Sequence, residues 1–218
     1  MRIVCVSDTH GLHRELETPD GDLLIHAGDA TMQGRPEEIE RFDEWLGSLP
    51  HRRKVFIAGN HDRLFEERPE EARCRITNAL YLQDSEATVD GLRIWGSPWQ
   101  PWFLSWAFNL RRGAPLRAKW DLIPPGIDVL VTHGPPHGVR DRVAGVMARG
   151  LSIALGHGPR VGCEELREAV RRLRPRLHVF GHIHEGYGRE EREGTLFVNA
   201  SFCDQDYRPV NPPVVVDL

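Results

Sequence analysis

The sequence predicts an α/β protein in which mixed β-sheets pack face to face with helices on the outside. Two observations lead there. Five short apolar runs, rich in β-branched residues, each end in a glycine-rich or polar loop, as buried strands do. Amphipathic stretches of helical period lie between them, and strand–helix alternation marks an α/β architecture.

The first strand runs from Arg2 to Ser7 and delivers Asp8 and His10 at its carboxyl end. The second, Asp22 to Ala27, precedes Gly28 and Asp29. A helix follows from Pro36 to Leu49: Pro36 suits its first turn, Ile39, Phe42, Trp45, Leu46 and Leu49 share one face, and Gly47 and Pro50 mark its end. The third strand, Lys54 to Ala58, leads into Gly59, Asn60 and His61. Ala87 to Val89 and Leu92 to Trp95 flank Asp90 and Gly91, a two-residue hairpin signal. Ile127 to Val131 precedes Thr132 and His133. A second helix spans about Cys163 to Arg174, with Leu166, Ala169, Val170 and Leu173 as its apolar stripe and Pro175 as its stop. Leu177 to Phe180 then leads to Gly181, His182 and His184, and Thr195 to Val198 and Val214 to Val216 complete the strands.

The length of 218 residues suits one domain over 1–218. With 40% hydrophobic and 28% charged residues, the composition excludes disordered and fibrous classes. A net charge of −4 supplies no general field for nucleic acid or anionic lipid. No extended nucleic-acid surface is evident, and the oligomeric state is left open. The four cysteines, Cys5, Cys74, Cys163 and Cys203, are widely spaced and read as reduced thiols. Met1 runs straight into the first strand, and no apolar run reaches membrane-spanning length, so a cytoplasmic protein without membrane contact is expected.

Seven side chains at these strand ends form a candidate dinuclear metal site: Asp8, His10, Asp29, Asn60, His133, His182 and His184. Two neighbouring dications repel unless anions lie between them, which makes Asp29 the candidate bridge. Asp8 and His10, two apart on an extended segment, suit one ion, with His184 turning back to it; Asn60, His133 and His182 suit the other. Any one pair alone has a bland explanation, since Gly-Asp is a common turn and a lone histidine at a strand end is more often structural. Five such loops at carboxyl ends of strands, where α/β active sites collect, outweigh it. Oxygen and imidazole donors without thiolate favour manganese, iron, zinc or a related divalent ion over a structural zinc site and do not choose among them; two ions are expected, manganese first, with iron, zinc, cobalt, nickel or magnesium open. The expected chemistry is in-line attack on phosphorus by a hydroxide bridging the ions. His61 is placed to act on the leaving oxygen, with Asp62 expected to orient its ring.

Other residues carry weaker expectations. Trp99 and Trp102, on a proline-marked loop within an aromatic-dense segment, are placed near the substrate mouth. His137 and Arg140 are candidate phosphate contacts, Arg140 with Asp141 as an alternative partner. His26 is read as a structural residue or a support for the ligands, and His13, His51, His157 and His178 as structural. Residues 145–162 are read as a loop whose glycine spacing matches no phosphate-cradling motif.

The chain resembles the calcineurin-like metallophosphoesterases, whose ordered motifs match Asp8-Thr9-His10, Gly28-Asp29, Gly59-Asn60-His61-Asp62, Thr132-His133-Gly134 and Gly181-His182-Ile183-His184. That resemblance implies a two-sheet sandwich with flanking helices, the ligand roles above, and His61 as the catalytic histidine. It is closer to the metallophosphoesterase-domain-containing branch, through His26-Ala27-Gly28-Asp29, Gly96-Ser97-Pro98-Trp99, Trp106-Ala107-Phe108-Asn109, His133-Gly134-Pro135-Pro136, the run from Phe180 to Gly188, and Asn199-Ala200-Ser201. Some relatives in that branch lack the first histidine of the Gly-His-x-His motif; His182 is present here. The branch implies hydrolysis of small phosphodiesters, cyclic nucleotides among them. A phosphomonoesterase or nucleic-acid end-processing enzyme is the alternative with the same ligands, and a non-catalytic protein-binding scaffold is the alternative of another class.

Overall fold

The computed structural model describes residues 1–144 and 158–218. Thirteen strands are found among them. Sheet one has the order β13–β1–β2–β3–β4, from β1 (Arg2–Val6), β2 (Leu23–His26), β3 (Arg53–Phe56), β4 (Leu80–Tyr81) and β13 (Val214–Asp217). Sheet two has the order β11–β12–β10–β9–β6–β5, from β5 (Ser85–Val89), β6 (Leu92–Ser97), β9 (Val129–Thr132), β10 (Leu177–Phe180), β11 (Gly188–Arg192) and β12 (Thr195–Asn199). A two-strand ribbon joins β7 (Gln100–Pro101) to β8 (Asn109–Leu110).

Successive residues of a strand face opposite sides, so one strand can feed two cores. Ile3 and Cys5 of β1, Leu23 and Ile25 of β2, Val129 and Val131 of β9, and Leu177 and Val179 of β10 meet in one cluster between the sheets. Their neighbours point outward. Val4, Val6, Leu24 and Phe56 pack under α1 (Pro36–Ser48) against Ile39, Phe42, Trp45 and Leu46. On the other side, Leu130, Phe180 and Phe197 pack against Leu116 and Trp120 of α4 (Ala114–Trp120) and Leu166, Ala169 and Val170 of α5 (Glu164–Leu173). Burial on both faces is why the strands read as continuous apolar runs. The fold is therefore the expected mixed α/β arrangement, two large sheets with helices outside.

The caps follow the sequence. Cys163 stands at the start of α5, its sulfur accepting from the Leu166 N–H, and Arg174 ends the helix in the left-handed conformation before Pro175. The Asp90-Gly91 turn has φ of 47° and 89°, which gives the backbone twist a tight hairpin needs. Several small elements escaped the sequence pattern, among them α2 (Leu64–Glu67), α3 (Pro69–Arg73), α4, the short strands β4, β7 and β8, and the edge strand β11. The charged run Gly188-Arg189-Glu190-Glu191-Arg192 of β11 conceals its pairing with β12, although charge is what protects an exposed edge. Of the stretch 145–162, residues 145–157, including His157, lie outside the described residues; Cys163 pairs with Pro136 just after it. No helix among the described residues is long and apolar enough to cross a membrane.

The strand directions position the site. β1, β2 and β3 are mutually parallel, and β9, β10 and β12 are parallel in the other sheet, so their carboxyl ends collect at common edges. The sheets are stitched together there: the Ser7 N–H donates to Ala200 O and the Phe202 N–H to Ser7 O, while within sheet two the Gly181 N–H donates to His133 O just beyond β10 and β9.

Candidate metal centre

The loops after β1, β2, β3, β9 and β10 bring all seven expected ligands to this edge. Three overlapping groups of potential ligand atoms lie within 4.8 Å of one another: Asp8 with His10 and His184; His10 with Asp29 and His61; Asp29 with His133 and His182. Asn60 joins the last, its Oδ1 2.9 Å from His133 Nε2. The cage dimensions can be compared with an ion: donors about 2.1 Å from a divalent cation stand roughly 3 Å apart when adjacent and roughly 4.2 Å when opposite. The distances here are 3.4 Å for His184 Nε2 to Asp8 Oδ1, 3.3 Å for His10 Nε2 to His184 Nε2, 3.9 Å for His10 Nε2 to Asp29 Oδ2, and 3.4 Å for His133 Nε2 to Asp29 Oδ2. The residues fit two divalent ions in both spacing and donor chemistry. No cysteine sulfur takes part among the described residues.

Each side chain is aimed by a bond on its far side. His133 Nδ1 meets Ala27 O at 3.0 Å and His184 Nδ1 meets Asp204 O at 2.7 Å, leaving both Nε2 atoms turned inward. Asp8 accepts the His182 N–H on both oxygens, at 3.0 Å each, and the Ser201 hydroxyl on Oδ2 at 2.9 Å. Asp29 accepts the His61 N–H on Oδ1 at 2.7 Å, which leaves Oδ2 as the oxygen standing between His10 and His133.

The backbone is bent to achieve this. Asp8, His10, Asp29 and His182 all have positive φ, between 45° and 66°. Aspartate and histidine tolerate that region better than most residues, yet each such position carries strain of order 1 kcal/mol, and strain of this kind clusters at functional sites. Two of the motif glycines are required by close approach. A Cβ on Gly59 would collide with the Asp29 carboxylate, and one on Gly181 with the Asp8 carboxylate and Ser7 Oγ.

Electrostatically, the cage consists of two buried carboxylates balanced by imidazoles. Burial opposes ionisation of Asp8 and Asp29, but the hydrogen bond and charge of His184 at Asp8, and of His133 at Asp29, hold both well below the usual carboxylate range. Burial likewise opposes charge on His133 and His184, but Asp29 and Asp8 outweigh it and raise both to about 9. Burial dominates at His10 and His182, lowering them to about 4 and about 3. In the metal-free protein, two imidazolium groups thus occupy the cage as counter-charges that divalent ions would replace.

His61 faces the centre with Nε2 4.0 Å from Asp29 Oδ2, and its Nδ1 meets Met32 O at 2.8 Å. The expectation that Asp62 orients this ring is corrected. The buried Asp62 carboxylate accepts from the N–H groups of Ala30, Thr31 and Gly59 and from the Thr31 hydroxyl, so it locks the β2 and β3 loops together instead. Trp106 packs on His61, with ring centroids 4.1 Å apart and planes 30° apart.

Trp99 and Trp102 are placed elsewhere than expected. The Trp99 indole donates to Asp84, under Lys119, and Trp102 is 64% exposed with no ring contact to the centre among the described residues. Proline spacing marks the loop but cannot say which of its rings folds back. Arg140 spends its guanidinium on the carbonyls of Tyr187 and Arg189 along β11, and Asp141 pairs with Arg160 at 2.6 Å, not with Arg140. His137 stands beside Asp141, 3.7 Å away, outside the ligand groups. His26 bonds Thr9, which lies between Asp8 and His10, and His178 bonds Thr132 beside His133; both are buried and support the ligand loops from behind. Ser201, Asp204, Trp106 and Tyr207 were not singled out as site residues from sequence, although Ser201 and Trp106 fall in two of the resembling stretches.

A family model described as calcineurin-like phosphoesterase matches residues 1–186. The human protein metallophosphoesterase domain-containing protein 1 is 50% identical over 241 aligned residues, covering all of this chain and 71% of that protein, and the mouse protein of the same name matches to the same extent. In fold, the chain is similar to the crystal structure of TT1561 of Thermus thermophilus, at a TM-score of 0.57 and 15% identity over 91% of this chain and 88% of that one.

Proposed function

The chain belongs to the calcineurin-like phosphoesterase family, and from that membership we propose that it hydrolyses small phosphodiesters, cyclic nucleotides among them, using two divalent ions. One ion would be held by Asp8, His10, His184 and Asp29, the other by Asp29, Asn60, His133 and His182. The observation that carries the proposal is Asp29: one oxygen is pinned by the His61 N–H, and the other faces both His10 and His133. A single carboxylate oxygen between two ligand groups is what a pair of adjacent dications requires.

When bound, the two ions would supply Lewis acidity and a nucleophile at neutral pH. The remaining steps belong to the chain. Asp8 and Asp29 fix negative charge in the cage, and the backbone bonds to Ala27 and Asp204 keep His133 and His184 in the tautomer whose Nε2 points inward. His61 acts on the leaving oxygen. Its Nδ1 is bonded to the Met32 carbonyl, which turns Nε2 toward the centre, 4.0 Å from Asp29 Oδ2, as the ring nitrogen that would meet the leaving oxygen. Trp106 covers the imidazole face and keeps it in place.

The preference for diesters rests on the likeness to the branch, since the ligands alone support hydrolysis of phosphate esters generally. Protein stripped with a chelator should lose hydrolysis of bis(p-nitrophenyl) phosphate and recover it with manganese. Parallel assays with nucleoside monophosphates and oligonucleotides test the diester preference. Absence of metal-restored activity on every ester would refute the proposal.

A further inference from the structure

Tyr207 is 40% exposed, yet its ring lies against three histidines of the centre. The centroid distances are 4.8 Å to His10, 5.7 Å to His184 and 6.0 Å to His61, with interplanar angles of 79°, 86° and 67°. Among the described residues it is the exposed aromatic side chain in ring contact with the cage. Trp106 is already engaged, packed at a 30° tilt on His61 and with the Arg63 guanidinium 4.9 Å from its ring.

The turn that carries Tyr207 is built to present it. The Asp204 carboxylate accepts the N–H groups of Asp206 and Arg208, each at 2.9 Å, and the Arg208 guanidinium. The Asp204 carbonyl accepts the Tyr207 N–H at 2.9 Å and also receives His184 Nδ1 at 2.7 Å. The tyrosine turn and a proposed metal ligand therefore share one backbone oxygen. Tyr207 itself sits at φ 59°, a conformation unfavourable for an aromatic residue. A half-exposed ring held in a strained conformation by this many bonds is pre-organised, and pre-organised aromatic surfaces bind flat groups with little loss of entropy.

We propose that Tyr207 is a specificity-determining residue, an aromatic wall beside the cage that stacks on a ring in the organic group of the phosphate ester. The selected substrate class is ring-bearing esters, aryl or nucleoside, over alkyl esters. The inference rests on the proposed function, because it places the phosphate in the cage between His10, His184 and His61. A ring joined to that phosphate through one or a few bonds then reaches Tyr207.

The test is binding, so that it does not depend on turnover. Phenylphosphonate and methylphosphonate carry the same acid group and differ in the ring. Calorimetry on the manganese-loaded full chain should show phenylphosphonate binding roughly fivefold to tenfold more tightly, as expected for one aromatic contact. Tyr207→Phe should keep that ratio, because the ring is retained. Tyr207→Leu should bring it to within about twofold, a loss of the stacking contribution, with manganese stoichiometry unchanged. An unchanged ratio in Tyr207→Leu, or no ring preference in the parent protein, overturns the inference. If neither phosphonate binds better with manganese than after chelation, the proposed function fails and the role of Tyr207 with it; manganese-dependent binding with equal ratios in parent and Tyr207→Leu removes only the latter.

Discussion

Metal loading of this cage should be a proton exchange, and the structure sets how many protons leave. His133 and His184, raised to about 9 by Asp29 and Asp8 against the opposing effect of burial, are both protonated near pH 7 in the metal-free chain. His10 and His182, lowered by burial to about 4 and about 3, are already neutral, and both carboxylates are already ionised. Binding two ions therefore releases about two protons, one from each side of the Asp29 bridge. Removing a proton from a group about two units above the working pH costs about 3 kcal/mol per ion. Apparent affinity for each ion should then tighten roughly tenfold per pH unit from near neutrality up to about pH 9, and level off above. Titrating manganese calorimetrically in two buffers of different ionisation enthalpy counts the protons directly. Thermal melts add an independent check of sign. The raised His133 and His184 stabilise the metal-free fold fully below the ordinary histidine range, and that contribution disappears as pH rises through about 9. The lowered Asp8 and Asp29 contribute above the ordinary carboxylate range and lose their effect in acid. Excess manganese should reverse the alkaline trend, since loading improves as pH rises. Release of less than about half a proton per ion, or an affinity flat across the neutral range, would refute the charge arrangement described for the cage.

Four substitutions separate roles within the site. His61→Ala should retain near-parent manganese stoichiometry while turnover falls by about 10²- to 10⁴-fold, whereas Asn60→Ala should lose manganese affinity as well; equal metal loss in both would make His61 a ligand. Ser201→Ala removes the hydroxyl bonded to Asp8 and should weaken manganese binding by about 10- to 100-fold with the far-ultraviolet circular dichroism unchanged. Gly181→Ala forces a methyl group onto the Asp8 carboxylate and should destabilise the metal-free protein by about 1–3 kcal/mol in a urea melt; a melt unchanged from the parent would refute that close approach.

Much of the fold was legible because it depends on local rules. The apolar runs of β1, β2, β9 and β10 and the stripe of α1 state their burial through period and composition, and their observed bounds shift by only a residue or two. The short helices α2 and α3 and the charged strand β11 were not, because an element of one turn or one exposed edge is stabilised by its neighbours more than by its own pattern. The candidate ligands could be named because parallel strands deliver their carboxyl ends to one side, so residues scattered from Asp8 to His184 share one location.

Residue order and composition thus suffice for the class of fold and for the chemical character of the strand-end loops: carboxylate, imidazole and amide donors beside glycines. The partners of those side chains emerge only on packing. Folding assigned Met32 rather than Asp62 to the His61 ring, turned Arg140 away to β11, chose Trp106 over Trp99 and Trp102, and brought Tyr207 against three histidines. Donor types and strand periodicity are properties of the residue and its near neighbours, whereas hydrogen-bond partners and ring contacts depend on angles and distances between segments remote in the chain. Those are fixed only when the two sheets pack and the loops at their shared edge have no other way to close.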